Sequence, residues 1–181
     1  MELNRSNKAV LVIDVQNDVV ATAHERDAVI ANIATVVGQA RSADVPVVWI
    51  QHDDHDLPAD TPGWEIVPEL SPTADEVVVR KNFRDSFQDT SLEAELARLD
   101  IGSLIVTGAQ TDFCVRWTLH AAHQRGYDTV LVADAHTTDA ESPAGMPSGA
   151  QLIEHTNSTW ASQADSTCRT AVTPTADLTL R

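Results

Sequence analysis

Residues 8–13 form an apolar run, KAVLVI, that ends at an acidic residue, Asp14. A run without alternation of polar and apolar side chains is typical of a strand covered on both faces, as in the parallel sheets of α/β proteins. Residues 26–43 then carry apolar side chains at helical spacing, and residues 45–50 predict a second buried strand. The chain is therefore predicted to begin with a β-α-β unit, which restricts the fold to a sheet with helices on its faces.

The alternation of strand and helix is predicted to continue to the end of the chain. Further strands are predicted at residues 76–79, 103–107, 129–133 and 169–172. Helices are predicted at residues 113–125 and 149–160, and another is predicted to begin at a capping box formed by Thr90 and Glu93. No linker divides the sequence, so we expect residues 1–181 to form a single domain. Its predicted fold class is α/β, a three-layer α/β/α sandwich, Rossmann-like, with a mainly parallel sheet of about six strands.

The composition limits the partners that this chain can bind. It has 27 acidic against 12 basic residues in 181, without a cluster of lysines or arginines. Such a surface repels polyanions, which argues against nucleic acid or an anionic membrane and favours a small-molecule ligand. The first residues are polar, no apolar run reaches membrane-spanning length, and two cysteines without CxxC spacing fit a reducing compartment. We therefore expect a cytoplasmic protein.

Cys114 is the first candidate for chemistry, because a predicted strand leads to it through Gly108 and a predicted helix follows. The unpaired N–H groups and the positive end of a helix dipole stabilise a thiolate, so we expect a thiol pKa below the free value of about 8.5. The alternative is that Cys114 is simply a small buried side chain. Cys168, in a polar stretch near the C-terminus, is expected to be incidental.

Asp14 and Lys81 lie, like Cys114, at or just beyond the carboxyl end of a predicted strand. These ends meet at one edge of a parallel sheet, where the active sites of open α/β sheets form. A carboxylate beside the thiol could take its proton as a general base, while an ammonium could favour the charged forms of both groups. Taken singly, Asp14 could instead cap the following turn, and Lys81 could be a solvated strand end.

Three motifs resemble those of the isochorismatase-like cysteine hydrolases, a family that includes nicotinamidases and carbamoylsarcosine hydrolases. They are VLVIDVQND at residues 10–18, VVRKNFRDSFQDTSL at residues 78–92 and TGAQTDFCV at residues 107–115, and the resemblance covers nearly the whole chain. It implies Asp14 as general base, Lys81 as charged partner and Cys114 as nucleophile. It also implies a cis peptide between Ala109 and Gln110, with the N–H groups of Gln110 and Cys114 forming an oxyanion hole.

The activity that this resemblance implies is hydrolysis of a C–N bond in a small amide, ureido compound or carbamate through a thioester on Cys114. It further implies a homo-oligomer, either a dimer or a tetramer. Two alternatives stay open. One is cleavage of a vinyl ether, the reaction that names the family, for which no thiol nucleophile is needed. The other is a non-catalytic small-molecule-binding protein, although residues 14–18 (DVQND) lack the phosphate-binding glycine loop of a nucleotide or flavin binder.

The loop after the second predicted strand bears on metal binding. The resemblance to nicotinamidases would place an Asp-x-His metal-binding pattern there, whereas this chain reads QHDDH at residues 51–55. The register does not match, so we expect no metal and no cofactor, as in the metal-free branch of the family. A metal held by His52, Asp54 or His55 is the alternative.

Several side chains within or beside the predicted strand-end loops are candidates for the substrate pocket. Aromatic residues at such positions belong to the core as often as to a pocket wall. His136 could also complete a Cys-His-Asp arrangement, although Lys81 fits the family pattern better. The pocket candidates are Gln16, His52, Trp64, Phe83, Phe87, Phe113, Trp117 and His136.

Overall fold

The computed structural model describes residues 5–163 and 168–180, and within them strands and helices alternate along the chain. The strands are β1 (Asn7–Ile13), β2 (Val47–His52), β3 (Val77–Lys81), β4 (Ile101–Ala109), β5 (Asp128–Thr137) and β6 (Thr170–Thr173). The α-helices are α1 (Arg26–Ser42), α2 (Leu92–Arg98), α3 (Arg116–Gln124) and α4 (Gly149–Ala161). A π-helical turn (Thr111–Val115) precedes α3, and a 3₁₀ turn (Thr175–Asp177) follows β6.

All six strands belong to one parallel sheet with the order β3-β2-β1-β4-β5-β6. The predicted fold class is confirmed, because helices cover both faces of this sheet. Successive residues of a strand point to opposite faces, so Val10 and Val12 pack with α1 while Leu11 and Ile13 pack with the helices of the other face. This two-sided burial explains the continuous apolar run at the start of the sequence. No helix in the described ranges is long and apolar enough to cross a membrane.

Several predicted boundaries are shifted in the structure, two of them for identifiable reasons. The helix predicted from Thr90 begins only at Leu92, and the capping box is not formed: the Thr90 hydroxyl accepts the Leu92 N–H at 3.2 Å, while the Glu93 carboxylate bonds Tyr127 at 3.0 Å. The strand predicted to end near residue 133 continues to Thr137. Asp134 therefore lies inside β5, where its carboxylate accepts hydrogen bonds from the backbone N–H and the hydroxyl of Thr175.

The order of the strands reverses between β1 and β4, so their carboxyl ends lie side by side at a topological switch point. Gly108 permits the close approach: its φ is +117°, and a Cβ there would lie 2.1 Å from the carbonyl oxygen of Ile13. The residue that follows β1 is Asp14, with a φ of +50°, and the π-helical turn follows β4. The switch point thus brings Asp14 next to the turn that carries Cys114.

Candidate active site

The structure brings the side chains of Asp14, Lys81 and Cys114 together at this edge of the sheet. Lys81 Nζ lies 2.6 Å from Asp14 Oδ2 and 3.3 Å from Cys114 Sγ. Asp14 and Lys81 are each 1% exposed, so the two charges form a buried ion pair. A buried ion pair is costly unless its partners satisfy each other, which the 2.6 Å contact allows.

The Lys81 ammonium has two further neighbours that fix its position. It donates to the carbonyl oxygen of Phe83 at 3.1 Å and lies 3.3 Å from His52 Nδ1. His52 Nε2 in turn lies 2.9 Å from Asp54 Oδ2. The imidazole can accept from Lys81 at Nδ1 while donating to Asp54 from Nε2, so Asp54, His52, Lys81 and Asp14 form a continuous polar chain. The His52 contact holds the pKa of the Asp54 carboxyl below its usual value.

Asp14 is placed as a proton acceptor. Neither of its carboxylate oxygens accepts a hydrogen bond of good geometry from the described residues, although Lys81 Nζ lies 2.6 Å from Oδ2. Burial raises the pKa of Asp14 above its usual value, and the charge of Lys81 opposes that rise. A carboxylate with a raised pKa and an unused acceptor oxygen is suited to general-base catalysis near neutral pH.

Cys114 is the fourth residue of the π-helical turn and not part of the first turn of α3. The prediction of a lowered thiol pKa was wrong. Burial raises the pKa of Cys114 to about 12, the negative charge of Asp14 adds to this rise, and Lys81 only partly opposes it. Desolvation and a like charge outweigh the helix dipole here, so the resting thiol is neutral at physiological pH and must lose its proton as it reacts.

The segment between β4 and the π-helical turn contains the cis peptide bond that joins Ala109 and Gln110. The carbonyl oxygen of Gln110 accepts the N–H groups of Phe113 and Val115, both at 3.1 Å, and its side-chain amide donates to Asp139 at 3.1 Å. Gln110 is therefore fixed at both its backbone and its side chain beside Cys114.

Asp14 and Cys114 face an open cavity of about 390 Å³, within the range of small-molecule sites. Apolar side chains and charged or polar side chains contribute to its walls. Its other lining residues are Asp18, Val19, His52, Asp54, Asp56, Leu57, Arg84, Gln110 and Phe113. The size suits a small organic molecule whose reacting group reaches the thiol.

Of the eight predicted pocket residues, only His52 and Phe113 line this cavity. Gln16 is instead buried and joins two backbone segments, because its amide makes hydrogen bonds to the backbone of His52 at 2.9 Å and to that of Trp64 at 2.8 Å. Trp64 and Phe87 are buried, the latter in the core beneath α2 and α3.

Phe83 and Trp117 are 42% and 54% exposed, and neither lines the cavity at Cys114. Six residues that line the cavity were not predicted as pocket residues: Asp18, Val19, Asp54, Asp56, Leu57 and Arg84. Arg84 lies three residues after Lys81 in the same strand-end loop, and this position in the sequence could have indicated it as a pocket residue.

The predicted role of His136 in the pocket was also wrong. His136 is 1% exposed and does not line the cavity. Its Nδ1 lies 2.9 Å from the Thr111 hydroxyl and its Nε2 lies 3.0 Å from Asn157 Oδ1, so both ring nitrogens are used to join β5, the π-helical turn and α4. Burial lowers the pKa of His136, which keeps the ring neutral. Cys168 is likewise remote from the site, buried with its Sγ 3.0 Å from His123 Nδ1.

The neutral state of His136 predicts a loss of stability in acid. Above the unfolded-state pKa of about 6.5 the ring is neutral in both states, and as the pH falls below it the unfolded state takes up a proton first. The free energy of unfolding should then fall by up to about 1.4 kcal/mol per pH unit from this residue alone. Urea titrations at several pH values give the free energy of unfolding as a function of pH. This free energy should fall less steeply with decreasing pH for His136→Gln than for the native protein. The exposed His155→Gln is the control, and equal slopes for all three proteins would contradict the prediction.

The family resemblance raises the question of a metal, and the residues after β2 do not fit one. His52 points its two ring nitrogens at Lys81 and Asp54, and the ammonium 3.3 Å from Nδ1 would repel a cation. Within residues 5–163 and 168–180, no group of three or more His, Cys, Asp or Glu side chains could hold a metal ion.

Known proteins share both the sequence pattern and the fold. The sequence model of the isochorismatase domain matches residues 8–145. Streptothricin hydrolase of Streptomyces noursei is 36% identical over 72% of this chain and 50% of that enzyme, so the chain spans about half of its length. Ureidoacrylate amidohydrolase of Klebsiella pneumoniae subsp. pneumoniae is 28% identical over 95% of this chain and 89% of that enzyme.

Among solved structures, an isochorismatase from Pseudomonas putida KT2440 is similar with a TM-score of 0.84 at 27% identity, covering 97% of this chain and 91% of that chain. The matched domain extends from β1 through the cysteine-bearing turn to the loop beyond β5. The chain therefore belongs to the isochorismatase-like cysteine hydrolase family.

Proposed function

We propose that this protein hydrolyses a C–N bond in a small amide or ureido compound through a thioester on Cys114. The observation that carries the proposal is the contact of Lys81 Nζ with both Asp14, at 2.6 Å, and Cys114 Sγ, at 3.3 Å, beside a cavity of small-molecule size. A thiol, a base and a cation so arranged are the parts that nucleophilic acyl transfer needs. The name of the ureidoacrylate amidohydrolase, which resembles this chain over 95% of its length, supports the same reaction class.

In the acylation step, Asp14 takes the thiol proton as Cys114 Sγ forms a bond to the substrate carbonyl carbon. The electron pair of the carbonyl double bond moves to its oxygen and gives a tetrahedral oxyanion. Because the pKa of the thiol is about 12, transfer of the proton to the neighbouring carboxylate has to accompany attack. Collapse of the oxyanion breaks the C–N bond, and the departing nitrogen takes the proton from Asp14.

The oxyanion requires hydrogen-bond donors in the same cavity. We assign this role to the backbone N–H groups of Gln110 and Cys114, at the two ends of the short segment that follows β4. A single donor of this kind contributes about 10²–10³ to a rate. Gln110 lines the cavity together with Cys114, as the assignment requires.

In the deacylation step, water replaces the departed amine. Asp14 takes one proton from the water molecule while the oxygen of the water attacks the thioester carbonyl. The second oxyanion collapses, the C–S bond breaks, and the proton on Asp14 returns to the sulfur of Cys114. Lys81 keeps its proton throughout and balances the negative charge that passes between carboxylate and thiol.

Hydroxylamine capture tests the thioester directly. A panel of small amides and ureido compounds is screened for ammonia release, and the best substrate is turned over with increasing hydroxylamine. Hydroxylamine should intercept the acyl-enzyme, so a hydroxamate from an amide, or an N-hydroxyurea from a ureido compound, should accumulate at the expense of the hydrolysis product while total ammonia release stays at least as fast. Intact-protein mass spectrometry after acid quenching should show the acyl group on the peptide containing Cys114. Turnover without hydroxamate and without a Cys114 adduct would exclude the thioester.

A further inference from the structure

Arg84 is a cationic side chain at the wall of the catalytic cavity that the reaction just described does not use. It lies in the segment between β3 and α2, and it lines the cavity together with Cys114 and Asp14. Its guanidinium carbon lies 4.4 Å from the centre of the Phe113 ring, one residue before the nucleophile. Such stacking holds the flat guanidinium in place and leaves its N–H groups free around the edge.

Arg84 makes no ion pair or hydrogen bond to any other residue in the described parts of the chain, although it lies at the wall of the catalytic cavity. The chain has 27 acidic against 12 basic residues, so a carboxylate partner is seldom far away. Among the other described arginines, Arg116 and Arg125 likewise have no carboxylate partner, while six do pair with carboxylates: Arg5, Arg26, Arg41, Arg80, Arg98 and Arg169. A guanidinium supported on an aromatic ring without an anionic partner is prepared to bind an anion from outside the chain.

The other charged residues of the cavity do not favour an anion, so the binding of an anion there depends on Arg84. The buried Lys81 does not reach the wall, so Arg84 is the one lysine or arginine among the described residues that line it. Asp14 is paired with Lys81, and Asp54 is occupied by His52 and by the N–H groups of Asp56 and Leu57. The exposed Asp18 and Asp56 would repel an anion, so its binding depends on the guanidinium.

We propose that Arg84 binds a carboxylate on the substrate, so that the amides or ureido compounds hydrolysed here are acids carrying a negative charge a few bonds from the scissile carbonyl. The inference rests on the proposed amide hydrolysis and narrows its substrate class. The planar fork of the guanidinium matches a carboxylate bidentately and would orient the substrate with its carbonyl towards Cys114. Arg84 is a specificity-determining residue, and the bond-breaking steps do not pass through it.

The test uses binding to the Cys114→Ala protein, where no turnover can intervene. Calorimetric titrations compare the monoamides of the C4 to C6 dicarboxylic acids (succinamate, glutaramate and adipamate) with the corresponding neutral diamides and with 4-aminobutanamide as a cation. At least one anionic monoamide should bind more tightly than its diamide, and its affinity should fall as salt is added. A native preference for the diamides or for the cation, or no binding of any monoamide, would overturn the inference.

The Arg84→Gln substitution, made in the same background, identifies the residue responsible. It should weaken monoamide binding by roughly 10- to 100-fold, the range for a hydrogen bond to a charged group, and leave diamide binding unchanged. The matched control is Arg80→Gln, which removes another arginine stacked on an aromatic ring, 4.7 Å from Trp64, but away from the cavity. Equal effects of the two substitutions would refute a role for Arg84.

Failure of this inference can be told apart from failure of the proposed function. If the protein hydrolyses neutral diamides and Arg84→Gln leaves KM and kcat for charged monoamides unchanged, the proposed amide hydrolysis is supported and the proposed anion subsite is refuted. If monoamides bind through Arg84 but no amide or ureido compound releases ammonia, the anion subsite is supported and the proposed hydrolysis is refuted.

Discussion

Replacing Cys114 by alanine is expected to lower kcat for amide hydrolysis by roughly 10⁴-fold or more, to the limit of detection, as removal of a nucleophile does in acyl-transfer enzymes. The sulfur is the only atom of this residue that can bond to the carbonyl carbon, and without it Asp14 has no thiol to activate. The exchange removes one half-buried atom, so the free energy of unfolding should change little. Ammonia release at saturating substrate measures the effect, and urea titration verifies the fold.

Cys168→Ala is the matched control for this prediction, because Cys168 is a buried cysteine remote from the cavity. It should retain turnover and hydroxamate formation, whatever it costs in stability. If Cys114→Ala retained turnover with a normal fold, water activated by Asp14 would have to be the nucleophile. If Cys168→Ala also lost turnover in a folded protein, the assignment of the nucleophile would be wrong.

The sequence predicted the convergence of Asp14 and Cys114 because parallel strands leave little freedom at their ends. Once residues 8–13 and 103–107 are recognised as buried strands, the polar residues that follow must share one edge of the sheet. Lys81 is a different case, since β2 stands between its strand and β1. Strands lie about 4.8 Å apart, so the backbones of β3 and β1 are separated by roughly 10 Å, a gap that the Lys81 and Asp14 side chains bridge together. The length of the lysine side chain allows this contact, but the spacing of the two residues along the sequence does not require it.

The thiol pKa and the pocket walls could not be predicted because they depend on burial at a level that local patterns do not encode. A helix start favours a thiolate, yet the cost of desolvation and the charge of Asp14 raise the pKa of Cys114 to about 12. Phe87 and Phe113 are both aromatic residues near strand ends, but one packs in the core and the other lines the cavity. Their roles depend on the paths of the loops after β3 and β4. The spacing of apolar residues in the sequence predicts strands and helices but does not define the path of a loop.

Breaking the buried ion pair is expected to have the second large effect. Lys81→Met keeps the length of the side chain and removes its charge, which leaves the carboxylate of Asp14 buried without a counter-charge. Removing one partner of a buried pair costs about 3–5 kcal/mol, measured as a loss in the free energy of unfolding at pH 7. Because the charge of Lys81 is the main effect that lowers the pKa of Asp14, its loss should raise this pKa further and favour the protonated carboxyl. Protonation removes the general base, so kcat and kcat/KM should fall together.

A double-mutant cycle separates this electrostatic role from simple packing. Asp14→Asn should destabilise the protein by a similar amount, because it leaves the Lys81 ammonium buried 2.6 Å from a neutral amide. The combined Asp14→Asn and Lys81→Met protein buries no charge at this position, so it should recover most of the lost stability while hydrolysis remains absent. Urea titrations give the four unfolding free energies, and the coupling should be of the order of 3 kcal/mol. Additive losses in the double variant would mean that the two side chains contribute by packing alone and that Lys81 does not hold Asp14 in its charged form.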